Sequence, residues 1–172
     1  MEIKKNFGVY GVCYKHGYLL CIQKTAGPYK NRLDLPDGSQ QIGEGLTETL
    51  IREVMEETGF TVRSYSNPRI YDVFVRKELT NFMVHHVMAL YDIEINEKEA
   101  QVTISEAVSD GANDSLGYIW MDIQKITEEN ASPLVLKVKS ELLGFPELDK
   151  TSYMNWKVND EKRTCPEWRK NS

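Results

Sequence analysis

Cysteine is scarce in this chain of 172 residues: Cys13, Cys21 and Cys165 make an odd count with no CxxC pair, so the spacing suggests neither a disulfide framework nor a structural zinc site. Long apolar runs are missing as well. Nowhere do the roughly eighteen consecutive apolar residues of a membrane-spanning helix occur, and the N-terminal MEIKKNFGVYG has no apolar segment of secretory type. Positive charge is in deficit, with 21 Lys and Arg against 26 Asp and Glu and a net charge of -5, which argues against broad binding to nucleic acid or an anionic membrane. The expected compartment is the cytoplasm. Internal repeats and low-complexity segments are also lacking. What remains is a chain with 41% hydrophobic residues, enough to bury a core, and a length that suits a single domain over 1–172.

Residues 7–15 (FGVYGVCYK) and 18–25 (YLLCIQKT) are rich in Val, Tyr, Leu and Ile and are split by His16-Gly17, the pattern of a β-hairpin. A two-residue turn there pairs Lys15 with Tyr18, Cys13 with Leu20 and Val12 with Cys21, which points the two thiols to opposite faces. Gly, Pro, Asp, Asn and Gln dominate 26–45, so a loop is expected there, broken by a brief strand-like Leu33-Asp34-Leu35-Pro36. Next comes a helix from Gly45, a tolerable N-cap, to Gly59 as the glycine after its end. Its buried side is expected to comprise Leu46, Leu50, Val54, Ile51, Met55 and Thr58. Segments 61–77, 81–95 and 118–123 read as strands, the first interrupted by Asn67-Pro68. Pro133 after Ser132 opens a second helix that stops before Gly144. The aromatic tail 146–172, with Tyr153, Trp156 and Trp168, has no clear period and is expected to pack on the domain or to serve a homodimer.

One feature of the first helix opposes its stability. Glu53, Glu56 and Glu57 fall at i, i+3 and i+4 and share a face, where like charges repel by a few tenths of a kcal/mol per pair. Three carboxylates beside a polar loop offer an all-oxygen site of the kind Mg²⁺ or Mn²⁺ prefers, and the metal's charge offsets the repulsion. A magnesium site leaves positions for water and phosphate oxygens, which suits hydrolysis of a diphosphate linkage.

Gly38, Glu44, Arg52, Glu53, Val54, Glu56, Glu57, Gly59 and Phe60 together spell G-x5-E-x7-R-E-U-x-E-E-x-G-U, with U apolar. This resembles the Nudix box with every fixed position filled. Seven specified residues at average usage coincide by chance about once in 10⁸ starting points. The resemblance implies an α+β fold, an α/β/α sandwich with a mixed sheet, and a pyrophosphohydrolase of the MutT-like kind. It further implies Mg²⁺ as cofactor, with Mn²⁺ as an alternative, held by Glu53, Glu56, Glu57 and the backbone carbonyl of Asp37. Many relatives carry Gly where Asp37 stands, but a carbonyl ligand needs no particular side chain. Glu44 and Arg52 are expected to pair and tie the loop to the helix. A further loop carboxylate is common in such enzymes as ligand or base. Asp114, six residues before Trp120, takes that place, with Glu106, Glu99 and Glu97 as rivals and a solvated acid as the plain alternative.

Tyr29, Lys30 and Arg32 are candidates for contacting a base and phosphates; an ordinary exposed loop is the competing reading. His85-His86 lies mid-strand with one ring in and one out, and lacks a third ligand at metal spacing. By resemblance the substrate is a small nucleotide, a nucleoside diphosphate linked to another group. Pro68 and Tyr71 come too early to match the family's ADP-ribose and dinucleoside polyphosphate signatures, and no coenzyme A signature stands upstream. That leaves (deoxy)nucleoside triphosphates or oxidised nucleotides, with RNA 5′ ends disfavoured by the acidic balance. The alternatives are a Nudix-like nucleotide or sugar-nucleotide sensor without turnover, and an isoprenoid diphosphate isomerase, for which Cys13 and Cys21 sit poorly.

Overall fold

The computed structural model describes residues 2–96, 115–146 and 150–159. Strand β1 (Glu2–Val12) begins well before its apolar run, because parallel pairing with a later strand, β7 (Phe82–Asn96), draws the polar start of the chain into a sheet from Glu2↔Phe82 to Val12↔Asp92. At Cys13 the chain changes sheets. Beyond it β2 (Tyr14–Lys15) turns back into β3 (Tyr18–Lys24), with His16 at φ 49° and Gly17 at φ 89°, the positive pair that a tight two-residue hairpin turn uses. Lys15 does face Tyr18, and the Leu20 amide bonds the Cys13 carbonyl at 2.9 Å. Val12 does not pair with Cys21, because β1 spends its length on β7 instead. Both thiols are buried, in different core clusters.

The loop after β3 carries two minimal strands, β4 (Leu33–Asp34) and β5 (Asp37–Gly38), and leads into α1 (Leu46–Thr58). Then follow β6 (Thr61–Lys77), β7, β8 (Ser115–Asp122), a single 3-10 turn at Ile123–Lys125, α2 (Pro133–Leu142) and β9 (Thr151–Trp156). One sheet runs β5-β1-β7-β6-β9 and is mixed: β1 with β7 and β6 with β9 are parallel, the others antiparallel. In the second sheet β3 pairs antiparallel with β2, β4 and β8. Asn67-Pro68 does not end β6. The pair is absorbed as a bulge between Ser66↔Asp92 and Arg69↔Leu90, with Asn67 at φ 51°, so the strand bends and continues.

Two apolar clusters hold these layers. One gathers Val9, Leu20, Leu50, Val54, Phe60, Ile93 and Ile95 around α1; the other joins Tyr10, Leu35, Val73, Met88 and Leu90 to Ile126, Leu134, Val135 and Val138 near α2. Burial of Leu50 and Val54 stabilises by roughly 1.5–3 kcal/mol each. Ile51 and Met55, expected on the buried side, are instead 42% and 40% exposed. Thr49, Glu57 and Thr58 are buried with Leu50 and Val54, so the inward stripe is rotated toward the loop of β5. Among the described residues no helix is long and apolar enough to cross a membrane.

The tail shows no readable period; its described residues form one short strand, added in parallel to β6. Trp156 is buried there: its Nε1 donates to the Pro28 carbonyl at 2.9 Å, and the Arg32 guanidinium lies 4.2 Å from its ring centre. Arg32 also donates through Nη1 to the Lys157 carbonyl at 2.7 Å. In this way β9 clamps the loop that feeds β4 and β5.

Candidate active site

Helix α1 is placed by both ends. The Gly45 amide donates to Glu48 Oε2 at 2.7 Å, and Gly59, at φ 73°, sends its amide back to the Met55 carbonyl at 2.8 Å. A defined start and stop fix the phase of the carboxylate face between them. Strand β5 is held to β1 through Val9↔Gly38 and Tyr10↔Asp37, which sets the loop across that face.

Gly38 meets Glu53 directly. A Cβ at position 38 would lie 1.8 Å from Glu53 Cδ and 1.9 Å from Oε1, so only a residue without a side chain lets that carboxylate rest there. The neighbouring contact is polar: the Asp37 amide donates to Glu57 Oε2 at 2.8 Å. Lys24, at the end of β3, reaches the same place with Nζ 2.8 Å from Asp37 Oδ1 and 3.6 Å from Glu57 Oε1. Burial works against the Lys24 charge, but Asp37, Glu57 and Asp34 outweigh it and raise the lysine pKa overall.

Arg52 organises the outer half. Its Nε and Nη2 bind Glu44 Oε1 and Oε2 at 2.5 and 2.8 Å, the two-pronged geometry that a guanidinium and a carboxylate favour. Nη2 also donates to the Ser39 carbonyl at 3.2 Å, and Nη1 to Glu53 Oε1 at 2.7 Å and Glu56 Oε2 at 3.2 Å. Glu44 additionally accepts from the Gln41 amide and the Thr49 hydroxyl. The Arg52 hydrogen bond, then that of Gln41, holds its pKa down to about 2. Glu53 goes the other way: burial raises its pKa, and the Arg52 hydrogen bond only partly opposes this.

Donor chemistry fits a hard divalent cation, since Glu53, Glu56 and Glu57 offer only oxygens and Gly38 supplies a cradle that a Cβ would fill. Among the described residues no three acids, imidazoles or thiols already close around one point. Arg52 holds Glu53 and Glu56, while Lys24 and the Asp37 amide hold Glu57, so a cation there must compete with these two bases.

Of the remaining candidates, Tyr29 and Arg32 are not surface groups of an exposed loop. Both are buried, Tyr29 against His86 and Trp156 and Arg32 over Trp156, because β9 covers the loop. Lys30 is half-buried on the same loop. Asp114, Glu106, Glu99, Glu97 and Trp168 lie outside the described residues.

Two residues that sequence reasoning passed over belong to the site's interior, Lys24 and Asp34. The signal was faint: a lysine closing an apolar strand, and an acid between Leu33 and Leu35. Asp34 Oδ1 accepts from the Leu35 amide at 2.9 Å and the Ser132 hydroxyl at 2.8 Å. Burial first, and Asp37 second, push its pKa from 3.8 to about 7. The folded state therefore binds this proton more tightly than the unfolded chain does. Stability from Asp34 is full below its ordinary pKa and is lost as pH rises toward about 7. Asp34→Asn keeps an accepting Oδ1, so its melting temperature is expected to fall less than that of the wild type between pH 5 and 8, by on the order of a few degrees. Thermal unfolding across that range decides it; parallel profiles would rule Asp34 out as the cause.

The NUDIX domain family model matches residues 3–138, which include all of the loop and helix just described. The chain belongs to the Nudix family. It is accordingly a pyrophosphohydrolase, with the mixed α+β architecture of that family. Among solved structures it is similar to a NUDIX hydrolase from Nitrosomonas europaea, with a TM-score of 0.57 and 18% identity over 84% of this chain and 93% of that one. A MutT NUDIX hydrolase from Burkholderia pseudomallei gives 0.56 and 15% over 80% and 97%. A bifunctional NMN adenylyltransferase/ADP ribose pyrophosphatase from Francisella tularensis, complexed with AMP and a Mn ion, gives 0.50 and 18% over 82% and 42%. At such identities the likeness is one of fold. No curated protein matches the sequence. Strand β9 lies beyond the matched residues.

Proposed function

We propose that this Nudix protein uses a divalent metal to hydrolyse the diphosphate linkage of a nucleoside diphosphate joined to another group, most simply a (deoxy)nucleoside triphosphate or oxidised nucleotide, giving a monophosphate and pyrophosphate. The observation that carries this reading is the seating of the Glu53 carboxylate on Gly38 beside a Glu57 anchored to the Asp37 amide. Glu53, Glu56, Glu57 and the Asp37 carbonyl would hold Mg²⁺, or Mn²⁺ in its place. Bound there, the ion would neutralise phosphate charge and lower the pKa of a coordinated water.

The chain's own groups do the positioning. Arg52 locks the Glu44 loop to α1, and the Asp37 amide orients Glu57. Lys24 adds a positive charge on the inner side of the cluster, toward which substrate phosphates are drawn. Burial raises the pKa of Glu53, a shift in the direction that favours taking a proton from attacking water. No covalent intermediate is required. This reading assigns the further carboxylate to Asp114, ahead of Glu106, Glu99 and Glu97, and Asp114→Asn is expected to cut turnover at least about tenfold; wild-type rates in that variant would remove it from the mechanism.

The test is incubation of the purified protein with Mg²⁺ or Mn²⁺ and nucleoside triphosphates, 8-oxo-dGTP, ADP-ribose, NADH, diadenosine polyphosphates and coenzyme A, with chromatography of the products. Metal-dependent release of a nucleoside monophosphate is the expected result. Nucleotide-induced thermal stabilisation with no turnover of any compound would replace the hydrolase with a sensor.

A further inference from the structure

Two polar atoms in the space between the sheets have no hydrogen-bond partner among the described residues, the Tyr29 hydroxyl and the Nε2 nitrogen of His86. Their residues are only 4% and 8% exposed. Buried polar atoms are rarely left unsatisfied, and here two stand together, with ring centres 5.1 Å apart and planes tilted by 44°. They belong to unrelated parts of the chain, the loop before β4 and the middle of β7. Chance leaves one such atom more readily than two neighbours.

The pair also lies within electrostatic reach of the carboxylate face. Glu57 and Asp37 meet Lys24. Burial first, then the charges of Asp34 and Asp37, raises the Tyr29 pKa, and burial, then His85 and Lys24, lowers that of His86. A ligand whose phosphates lie toward Glu57 would extend its other end inward, toward Tyr29 and His86.

We propose that the base of the nucleotide is read there, by hydrogen bonds from its edge to the Tyr29 hydroxyl and His86 Nε2. This rests on the nucleotide hydrolase reading above and names its specificity-determining residues. A phenol and a neutral imidazole can each donate or accept, which matches the adjacent donor and acceptor atoms of a planar heterocycle. Burial lowers the pKa of His86 to about 4, which keeps the ring neutral at physiological pH. Trp156 stands edge-on to Tyr29, with centres 6.2 Å apart and planes at 89°, and forms the wall behind it. That wall comes from β9, outside the residues that the family model matches.

Tyr29→Phe in the full chain is expected to lower kcat/KM for the best-hydrolysed nucleotide about tenfold or more, mainly through KM, and to flatten the ranking among the four bases. Its melting temperature should stay level or rise, since Phe removes a buried hydroxyl that has no partner. Unchanged base ranking with a lower melting temperature would overturn the proposal, because the hydroxyl would then serve the fold. Independently, ¹⁵N spectra of the His86 ring should shift at Nε2 on addition of a nucleoside monophosphate and not of ribose 5-phosphate; no shift with any of the four bases overturns it. Should the wild type hydrolyse no nucleotide, the hydrolase reading fails by itself, and this titration still decides the base site.

Discussion

Glu53→Gln is expected to lower turnover by on the order of 10²–10⁴-fold while leaving the fold intact. Glu53 lies at the meeting point of the site, over Gly38 and 2.7 Å from Arg52 Nη1. The amide oxygen of Gln can still accept from Arg52, and burial no longer acts on a charge, so the melting temperature should be level or slightly higher. On the proposed mechanism, what is lost is one anionic ligand and a group that takes the water's proton. Mn²⁺ titration by calorimetry should show weaker binding beside the loss of rate. Wild-type turnover with unchanged Mn²⁺ affinity would remove Glu53 from the site. Glu57→Gln is a less clean test, because Glu57 is buried and its two oxygens answer the Asp37 amide and Lys24, so stability is at stake as well.

Gly38→Ala adds a single methyl group and is expected to cost at least about a hundredfold in turnover. The backbone at 38 is outside the left-handed region, so alanine meets no conformational penalty there. Its Cβ would instead lie 1.8 Å from Glu53 Cδ, far inside contact distance, and the carboxylate would have to swing away. Movement of that size takes Glu53 off Arg52 and out of register with Glu57. The expected signature is weaker Mn²⁺ binding together with slower turnover, at a melting temperature close to that of the wild type. Unfolding of the variant would mean that the collision is relieved by the backbone of β5 rather than by Glu53. Retained activity would mean that the carboxylate has another productive position.

Different physical causes separate what was legible in the sequence from what was not. The helix of the box was readable to its ends, since Gly45 with Glu48 marks its start and Gly59 its stop, each acting on the turn beside it. Strands 61–77 and 82–96 declared themselves by apolar and β-branched content, and α2 by Ser132-Pro133. The inward stripe of α1 was misread at Ile51 and Met55, because hydropathy counts apolar residues but does not know that the loop of β5 claims the neighbouring face for Glu57. Likewise the hairpin was clear, yet the change of sheet at Cys13 was not. It depends on β7, more than 60 residues away, competing for β1.

By itself the sequence determined the family and the chemical character of the site: spacing along one helix puts three carboxylates on one face, and no tertiary information is needed to see that they suit a divalent cation. Only the tertiary structure decided how that face is served. Lys24, Tyr29 and Asp34 lie on β3, β4 and the loop between them, His86 comes from the distant β7, and the packing of two sheets joins them; Trp156 enters because a short strand adds to an edge far from it in the chain. Local periodicity carries helix phase, since backbone hydrogen bonds repeat over a few residues. It carries nothing about which distant side chains share a buried space, which sheet pairing and close packing settle together.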